Sequence, residues 1–398
     1  MSLNHPPAWA ARMRPAPGAH ARPSLLKRLN ERTILLTLQS HGPCSRADLS
    51  RLTGISGPTV TRAVSSLLEA RLLEETDPLQ GSLGRPGRVL RLGRTGVAVI
   101  GLVFGKSQCE IGLAGLDGQS EEANVRTFPT PDSYAELIDQ SASLIQELAR
   151  QREVLSVGVS LPGLYDGREG RSLISPNVPI TNGQQPGLDL SSRLPADVDV
   201  SVMQECDALC LAERMYGLAR GVSDFAMLDI TEGLGLGVVQ GGELLDGHSG
   251  LAGELGHITV ERQGRRCGCG NSGCLETVAT DTSLLRDVQE RTGRNWSMSE
   301  LLSAVQAGEI EIEAELSRLC DYLAIGMAAV INIFNPHRLF VFGRFFDLRA
   351  NLFDETLHRT RERALGPSFA DCHIIRARGN KRLGAIAAAI QPLTHGRD

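Results

Sequence analysis

The alternation of apolar and polar positions changes character near residue 95. Before that point, residues 24–93 carry short apolar faces at helical spacing and then two short strand-like runs, which predict three helices and a hairpin. After it, strand-like apolar runs alternate with helical ones over residues 96–398, which predicts an α/β domain with two lobes. The proline-rich residues 1–23 are expected to form a disordered N-terminal segment.

Several runs define the predicted α/β domain. VAVIGLVFG and EIGLAGLDG predict a pair of strands, and VLSVGVSLPG predicts a buried strand. Residues 133–150 predict an amphipathic helix, and residues 315–334 predict a long apolar helix that ends before Pro336. The strand LFVFG and a helix of small residues, LGAIAAAI, come last. This order predicts layers of helices and sheets, with a cleft between the lobes.

The first region has the punctuation of a helix-turn-helix. A helix is predicted over Asn30–Gln39, and Ser45 with Asp48 three residues later predicts a capped second helix. Gly54 stands where the turn between helices requires a left-handed residue. Ser56 is predicted to cap the third helix. Two short helices joined by a glycine-containing turn are typical of this DNA-binding motif.

In this motif the start of the third helix enters the major groove of DNA. The candidate DNA-contacting side chains there are Ser56, Thr59, Thr61 and Arg62. The hairpin tip GRPGR, residues 84–88, resembles the core of minor-groove AT-hooks, so Arg85 and Arg88 are candidates for the narrow groove. A merely polar hairpin tip is the alternative for this short motif. Together these features predict a winged helix-turn-helix that binds operator DNA.

Charge is unevenly distributed along the chain. Residues 1–95 carry 14 Lys and Arg against 6 Asp and Glu, a net charge of +8, whereas the remainder carries −13. This charge difference favours contact of only the N-terminal region with a polyanion, and an uneven surface charge without such a partner is the alternative. The nine cysteines and the absence of an apolar signal sequence favour a reducing, cytoplasmic environment, and no uninterrupted apolar run predicts membrane insertion.

Thiols are concentrated in the segment GELGHITVERQGRRCGCGNSGCLE, residues 253–276. Cys267, Cys269 and Cys274 fall within eight residues and are interleaved with glycines, a pattern typical of a metal site. His257 completes a Cys3His set, which predicts a closed structural Zn²⁺ site. His248 is an alternative fourth ligand, and three reduced, unliganded cysteines are the other alternative.

Two glutamates, Glu254 and Glu276, flank this cysteine-rich segment. Carboxylates held beside a metal-braced loop can accept hydrogen bonds from several sugar hydroxyls. The imidazole of a metal-bound histidine offers its second nitrogen as a further polar group. For each glutamate taken alone, an ordinary surface charge is the alternative.

The segment resembles the signature of the ROK family, named for repressors, open reading frames and kinases. The resemblance runs from Ser24 to about Pro392 and is closest in kind to the sugar repressors of the family, those of the glucose, N-acetylglucosamine and xylose type. It implies a winged helix-turn-helix (α+β) followed by a two-lobed α/β domain of the actin/hexokinase-like sugar-kinase fold with a zinc knot. It implies zinc ligation and sugar contact by the following residues: His257, Cys267, Cys269 and Cys274 for zinc, and Glu254, Glu276 and again His257 for sugar.

A second part of the resemblance concerns the sugar site. QECDALCLAER, residues 204–214, resembles the family stretch E-N-D-A-N-A, whose aspartate is the catalytic base in the kinases, a position that falls on Asp207. The neighbouring asparagine of the family is Cys206 here, a weak hydrogen-bonding group. SLPGLYDG resembles the turn beside the sugar, which makes Gly163 and Asn177 further candidates.

The segments that would bind ATP depart from the kinase pattern. Residues 101–108, GLVFGKSQ, lack the aspartate, paired glycines and threonine of a D-x-G-G-T loop. Residues 231–237, TEGLGLG, place Glu232 where a hydroxyl is expected, and Gly343 is followed by an arginine and a phenylalanine. The protein is therefore predicted not to be an enzyme, with Asp207 as a vestigial base.

These features predict a sugar-responsive transcriptional regulator, most simply a repressor. A monosaccharide or sugar phosphate in the degenerate kinase cleft would relieve operator binding by a homodimer or homotetramer. The alternative is an active ATP-dependent sugar kinase with an appended DNA-binding domain. A third possibility is a regulator whose signal is a protein partner.

Overall fold

The structure is a computed structural model that describes residues 23–76, 88–377 and 380–395. The predictions made for residues 1–22 and for the wing tip, including Arg85, lie outside the described residues. Contacts divide the chain into two units, residues 1–221 with 381–398, and residues 222–380.

The first unit begins with a helix-turn-helix and a small sheet. Its elements in chain order are α1 (Pro23–His41), β1 (Cys44–Ser45), α2 (Arg46–Thr53), α3 (Gly57–Glu69), β2 (Leu73–Thr76) and β3 (Val89–Leu92). The strands form an antiparallel sheet in the order β1-β3-β2. The predicted three helices and hairpin are present, and α1 is longer than the predicted Asn30–Gln39 because Pro23 is tolerated in a first helical turn.

Local punctuation explains where α2 begins and ends. The Ser45 hydroxyl accepts a hydrogen bond from the Asp48 backbone N–H, and the Asp48 carboxylate accepts one from the Ser45 N–H, which confirms the capping box. Gly54 ends the helix with a φ of +70°, as predicted. The prediction that the Ser56 side chain caps α3 is wrong: its hydroxyl lies 2.9 Å from Thr59 Oγ1 and bonds no helical N–H.

The rest of the first unit is an α/β layer. Its elements are β4 (Val97–Val103), β5 (Gln108–Ala114), β6 (Ser120–Pro129), α4 (Tyr134–Ala149), β7 (Glu153–Leu161), β8 (Leu164–Asp166), β9 (Arg171–Ile174), α5 (Pro186–Ser191), β10 (Asp199–Gln204), α6 (Glu205–Tyr216) and α12 (Lys381–His395). The five-stranded sheet has the order β10-β7-β4-β5-β6. The predicted strand pair, buried strand and amphipathic helix are confirmed as β4, β5, β7 and α4.

The small residues of α12 allow it to lie directly on the sheet. A Cβ at Gly158 of β7 would lie 2.0 Å from the carbonyl oxygen of Ala385, and one at Gly101 of β4 would lie 2.8 Å from Ile386. Glycine on the strands and alanine on the helix therefore bring the two backbones into contact. This explains the apolar, small-residue sequence of the last helix.

The second unit is another α/β layer. Its elements are β11 (Phe225–Asp229), β12 (Gly235–Gln240), β13 (Glu243–Leu244), α7 (Asp281–Thr292), α8 (Met298–Gln306), α9 (Glu313–Phe334), β14 (Arg338–Phe342), α10 (Leu352–Arg361), α11 (Gly366–Asp371) and β15 (His373–Arg376). Short 3-10 helices cover Leu255–His257, Leu275–Thr277 and Arg344–Asp347. The sheet order is β13-β12-β11-β14-β15.

Helix α9 is the apolar helix predicted at 315–334, and it ends at Asn335 before Pro336. By length and composition alone it could cross a membrane, although 56% of its most apolar stretch of 18 residues is buried inside the protein. No membrane insertion was predicted from the sequence because only uninterrupted apolar runs were considered, and charged residues interrupt this helix. Its buried residues, such as Leu323 and Met327, belong to the core of the second unit, which accounts for its apolar character.

Candidate metal centre, effector residues and DNA-contact surface

Three cysteines and a histidine converge in the second unit. Cys267 Sγ lies 3.6 Å from His257 Nδ1, and Cys269 Sγ lies 3.8 Å from Cys274 Sγ. One ligand atom from each of the four residues lies within 4.8 Å of the others. The cluster, called the Cys3His cluster below, could therefore hold a metal ion. The alternative ligand His248 is exposed and is not part of this group.

The local fold of the loop produces this convergence. His257 ends one 3-10 helix and Cys274 immediately precedes the next, and an isolated bridge pairs Cys274 with Thr259. The Cys267 N–H donates to the Asn271 carbonyl oxygen at 2.8 Å, which folds the chain back between the cysteines. Gly273 has a φ of +72°, and a Cβ there would lie 1.7 Å from the Glu261 carbonyl oxygen. Only glycine fits at this position.

The two predicted glutamates lie beside the Cys3His cluster. His257 Nε2 is 3.7 Å from Glu254 Oε2, and His257 Nδ1 is 3.9 Å from Glu276 Oε1. Glu276 Oε2 also accepts a hydrogen bond from the Leu234 N–H at 3.3 Å. Burial, followed by repulsion from Glu276, raises the pKa of Glu254 to about 7. Two carboxylates and an imidazole thus face one another at a half-buried surface.

The other predicted effector residues belong to the first unit. Asp207 lies half-buried in the first turn of α6, next to Cys206. Gly163 has a φ of +94°, and its carbonyl oxygen accepts a hydrogen bond from Gln204 Nε2 at 3.2 Å. This bond joins the turn after β7 to the start of α6. Asn177 is half-buried in the segment that follows β9.

The residues that follow Gly343 are held in place by contacts within the second unit. The Asp281 carboxylate accepts hydrogen bonds from the backbone N–H groups of Arg344 and Phe345, at 3.0 and 2.8 Å. The Phe345 side chain is fully buried, and a Cβ at Gly343 would lie 2.7 Å from Ile230. Burial raises the pKa of Asp281 to about 6, against the effect of these donors.

Sequence reasoning missed Asp281 because its partners lie more than 60 residues further along the chain. The only local signal was the capping box of Thr280 and Ser283 around it. Of the arginine and the phenylalanine that follow Gly343, Phe345 is buried in the core, whereas Arg344 is exposed.

The start of α3 presents its polar side chains to solvent. Ser56, Thr61 and Arg62 are exposed, and Thr59 is half-buried beside Ser56. Apolar residues on the opposite side of this helix, Val60, Val64 and Leu67, are buried. In the wing, Arg88 is exposed and pairs with Glu75, which also pairs with Arg46. The N-terminal end of α3 thus presents hydroxyl groups and one guanidinium group to solvent.

A winged helix-turn-helix joined to two α/β layers with a Cys3His cluster defines a class of protein: a DNA-binding domain attached to a sugar-kinase-like domain. The chain belongs to the ROK family, whose model matches residues 99–391. Residues 26–81 match the MarR family, which corresponds to the winged helix-turn-helix.

Similar proteins of known name include repressors. The chain is 27% identical to the xylose repressor of Bacillus subtilis over 317 residues, covering 79% of this chain and 81% of that protein. It is 24% identical to the DNA-binding transcriptional dual regulator NagC of Escherichia coli, covering 94% and 95%. A crystal structure of a ROK family transcriptional regulator, a homologue of the E. coli Mlc protein, matches with a TM-score of 0.78 and 27% identity, covering 93% of this chain and 97% of that one.

Kinases of the family share the fold over a shorter range. The ROK hexokinase of Thermus thermophilus matches with a TM-score of 0.62 and 28% identity, covering 74% of this chain and 97% of the hexokinase. The front of the chain therefore has a counterpart in the regulators, where coverage exceeds nine-tenths, whereas about a quarter of the chain lies outside the match to this kinase.

Proposed function

We propose that this protein is a sugar-responsive transcriptional repressor of the cytoplasm. The observation that carries the proposal is a ROK domain preceded by a winged helix-turn-helix whose recognition helix has an exposed polar start. Regulators are among the proteins whose match covers more than nine-tenths of this chain. A homodimer or homotetramer would place two such helices on successive major-groove faces of an operator.

DNA contact is assigned to the exposed start of α3 and to the wing. Ser56, Thr59 and Thr61 offer hydroxyls for phosphates or base edges, and Arg62 offers the bidentate donor that suits guanine. Arg85 and Arg88 of the wing are proposed to enter the adjacent minor groove. Operator binding would be strongly salt-dependent because these arginines replace counterions of the DNA backbone.

Effector binding is assigned to Glu254, Glu276 and His257 in the second unit, and to Asp207, Gly163 and Asn177 in the first. In their ionised form the carboxylates accept hydrogen bonds from sugar hydroxyls, and these bonds are stronger than neutral ones because the acceptor is charged. Cys206 replaces the amide that the family carries beside Asp207, which would alter the choice of monosaccharide or sugar phosphate.

Zinc is the ion that the Cys3His cluster fits. A tetrahedral site with Zn–S of about 2.3 Å and Zn–N of about 2.0 Å places neighbouring ligand atoms roughly 3.5–3.8 Å apart. The Cys269–Cys274 and Cys267–His257 separations of 3.8 and 3.6 Å match these values. Bound zinc would brace the loop that carries both glutamates. His257 would then ligate through Nδ1 and leave Nε2 facing Glu254.

Sugar kinase activity is the alternative function, and the retained Asp207 is what favours it. Against it, the segment after Gly343 is closed by Asp281 and by the buried Phe345, and Glu232 would repel a phosphate. The proposal is therefore that the protein binds a sugar without phosphorylating it.

Calorimetry with D-xylose, D-glucose, N-acetylglucosamine and the 6-phosphates of the two hexoses tests the effector assignment. Glu254→Gln and Glu276→Gln are each expected to weaken binding by roughly 10–150-fold, the loss of a charge-assisted hydrogen bond. Glu243→Gln, at an exposed glutamate of β13, is the matched control and should bind as the wild type does. Unchanged sugar affinity in both glutamate variants would contradict the assignment.

A further inference from the structure

Helix α6 carries the proposed effector residue Asp207 at its start and Tyr216 at its end. It begins directly after β10, with Asp207 in its first turn, and it ends at Tyr216. Its 12 residues span about 18 Å at 1.5 Å per residue. Over this length α6 packs against α12, where Gly384 lies so near Ala208 that a Cβ would be 3.1 Å from its carbonyl carbon. A packed helix of this length moves as a unit, so a displacement at Asp207 reaches Tyr216.

The C-terminal end of α6 is held by close contacts of Tyr216. Its ring covers Gly118, which has a φ of +76° and where a Cβ would lie 2.6 Å from Tyr216 Cζ. Its hydroxyl donates to the Leu116 carbonyl oxygen at 3.3 Å. Burial raises the pKa of Tyr216 far above its usual value, so the hydroxyl remains a neutral donor.

Helix α1 of the winged helix-turn-helix reaches the same tyrosine. α1 packs against α6 and also against α3, the recognition helix. The side chain of Gln39, in the last turn of α1, lies within hydrogen-bonding reach of Tyr216 and partly offsets the effect of burial on its pKa. Gln39 is only 8% exposed, and its Nε2 has no well-aligned acceptor among the described residues. Such a buried polar contact is sensitive to small displacements because an imperfect hydrogen bond is easily improved or lost.

A second route leads from Tyr216 to the wing. The Leu116 carbonyl accepts from Tyr216, and the Leu116 N–H donates to the Gly93 carbonyl oxygen at 2.8 Å. The Gly93 N–H in turn donates to the Leu72 carbonyl oxygen at 2.8 Å. Leu72 directly precedes β2, the first strand of the wing. Tyr216 is therefore two packing contacts from the recognition helix, through α1, and three hydrogen bonds from the start of the wing, through Leu116, Gly93 and Leu72.

We propose that Tyr216 is the positioning residue that couples the effector site at the start of α6 to the winged helix-turn-helix. The inference rests on the proposed function, because it names the path by which that function is regulated. An effector that binds Asp207 favours one position of α6, and Tyr216 then changes its contacts with Gln39 and Leu116. The coupling is a difference in contact free energy between two arrangements, shared by effector and operator.

The test separates coupling from binding in the full-length protein. An operator is first selected from random-sequence DNA with the wild-type chain, and its dissociation constant is measured with and without the sugars and sugar phosphates named above. Tyr216→Phe removes the hydroxyl and keeps the ring, and Gln39→Leu removes the amide. Tyr134→Phe is the matched control, because it removes a half-buried tyrosine hydroxyl that bonds Asp189 elsewhere in the same unit.

Both coupling variants are expected to bind the sugar alone with wild-type affinity while the sugar-induced change in operator affinity falls at least about fivefold from a wild-type value of roughly 5–150-fold. The control should keep the full change. Because Gln39→Leu tests the same contact from the opposite helix, a folding defect in one variant leaves the other decisive. Wild-type coupling in both variants would overturn the inference and leave the proposed function intact. A wild-type chain whose operator affinity none of these compounds changes would overturn both.

Discussion

Cys267, Cys269 and Cys274 are the residues whose convergence was clearest from the sequence, because closely spaced thiols interleaved with glycines are typical of a metal site. The choice between two histidines needed the folded chain, in which His257 joins the cluster and His248 does not. The contacts of Asp281, in contrast, could not be predicted from the sequence. Nothing near it in sequence indicates that it accepts hydrogen bonds from Arg344 and Phe345, because those donors arrive through the tertiary fold.

Cys267→Ser tests the metal at this scale. A serine hydroxyl is a poor zinc ligand and would leave three ligands, so we expect loss of bound zinc, a lower melting temperature and loss of sugar binding. Zinc content is measured by elemental analysis of purified protein. Cys372→Ser is the control, because Cys372 is buried in the same unit but outside the cluster. Wild-type zinc content and sugar affinity in the Cys267 variant would exclude the metal site.

Helix ends and strand pairs could largely be predicted, because capping and periodicity are local. The Ser45 capping box and the left-handed Gly54 follow from residues within a few positions of each other. The same local reasoning failed for Ser56, which was predicted to cap α3 but whose hydroxyl contacts Thr59 instead. The contact between the wing and the segment before β4 could not be predicted either, because it depends on Glu74 reaching residues 20 positions away.

Glu74 fixes strand β2 of the wing to the segment that leads into β4. Its carboxylate accepts hydrogen bonds from the backbone N–H groups of Arg94 and Thr95, at 2.8 and 2.7 Å, and pairs with Arg91. Burial opposes ionisation, but these donors outweigh it and lower the pKa of Glu74 to about 2. A lowered pKa means that the ionised form stabilises the fold above about pH 4.5, and that this contribution is lost as the pH falls toward 2.

Glu74→Gln is therefore expected to reduce the free energy of unfolding by about 1–3 kcal/mol at pH 7. The difference from the wild type should shrink when the measurement is repeated at pH 3, where the wild-type carboxylate loses its advantage. Denaturant unfolding followed by circular dichroism gives both values. Glu69→Gln, at an exposed glutamate ending α3, should be neutral. A difference that stays constant with pH would show that the carboxylate charge is not what stabilises this junction.

At the scale of the whole molecule, the order of the domains and their charges predicted a DNA-binding region followed by a sugar-kinase-like domain. A basic front of net charge +8 and an acidic remainder were visible without a structure, and the family match places the ROK domain behind the winged helix-turn-helix. The path that links them was not visible. It depends on Tyr216 meeting Gln39 and Leu116, residues about 100 or more positions apart in the chain. Long-range contacts of this kind leave no periodic signature.

The proposed function requires that one chain binds both operator DNA and a sugar, and that sugar binding weakens operator binding. The most direct test is the dissociation constant of the full-length protein for its selected operator, measured at fixed salt with and without each sugar or sugar phosphate. We predict that one of these compounds weakens operator binding by roughly 5–150-fold and is not phosphorylated in the presence of ATP and magnesium. Operator affinity that no compound changes would contradict the proposed function, and ATP-dependent phosphorylation of a sugar that is lost in Asp207→Asn would favour the kinase alternative.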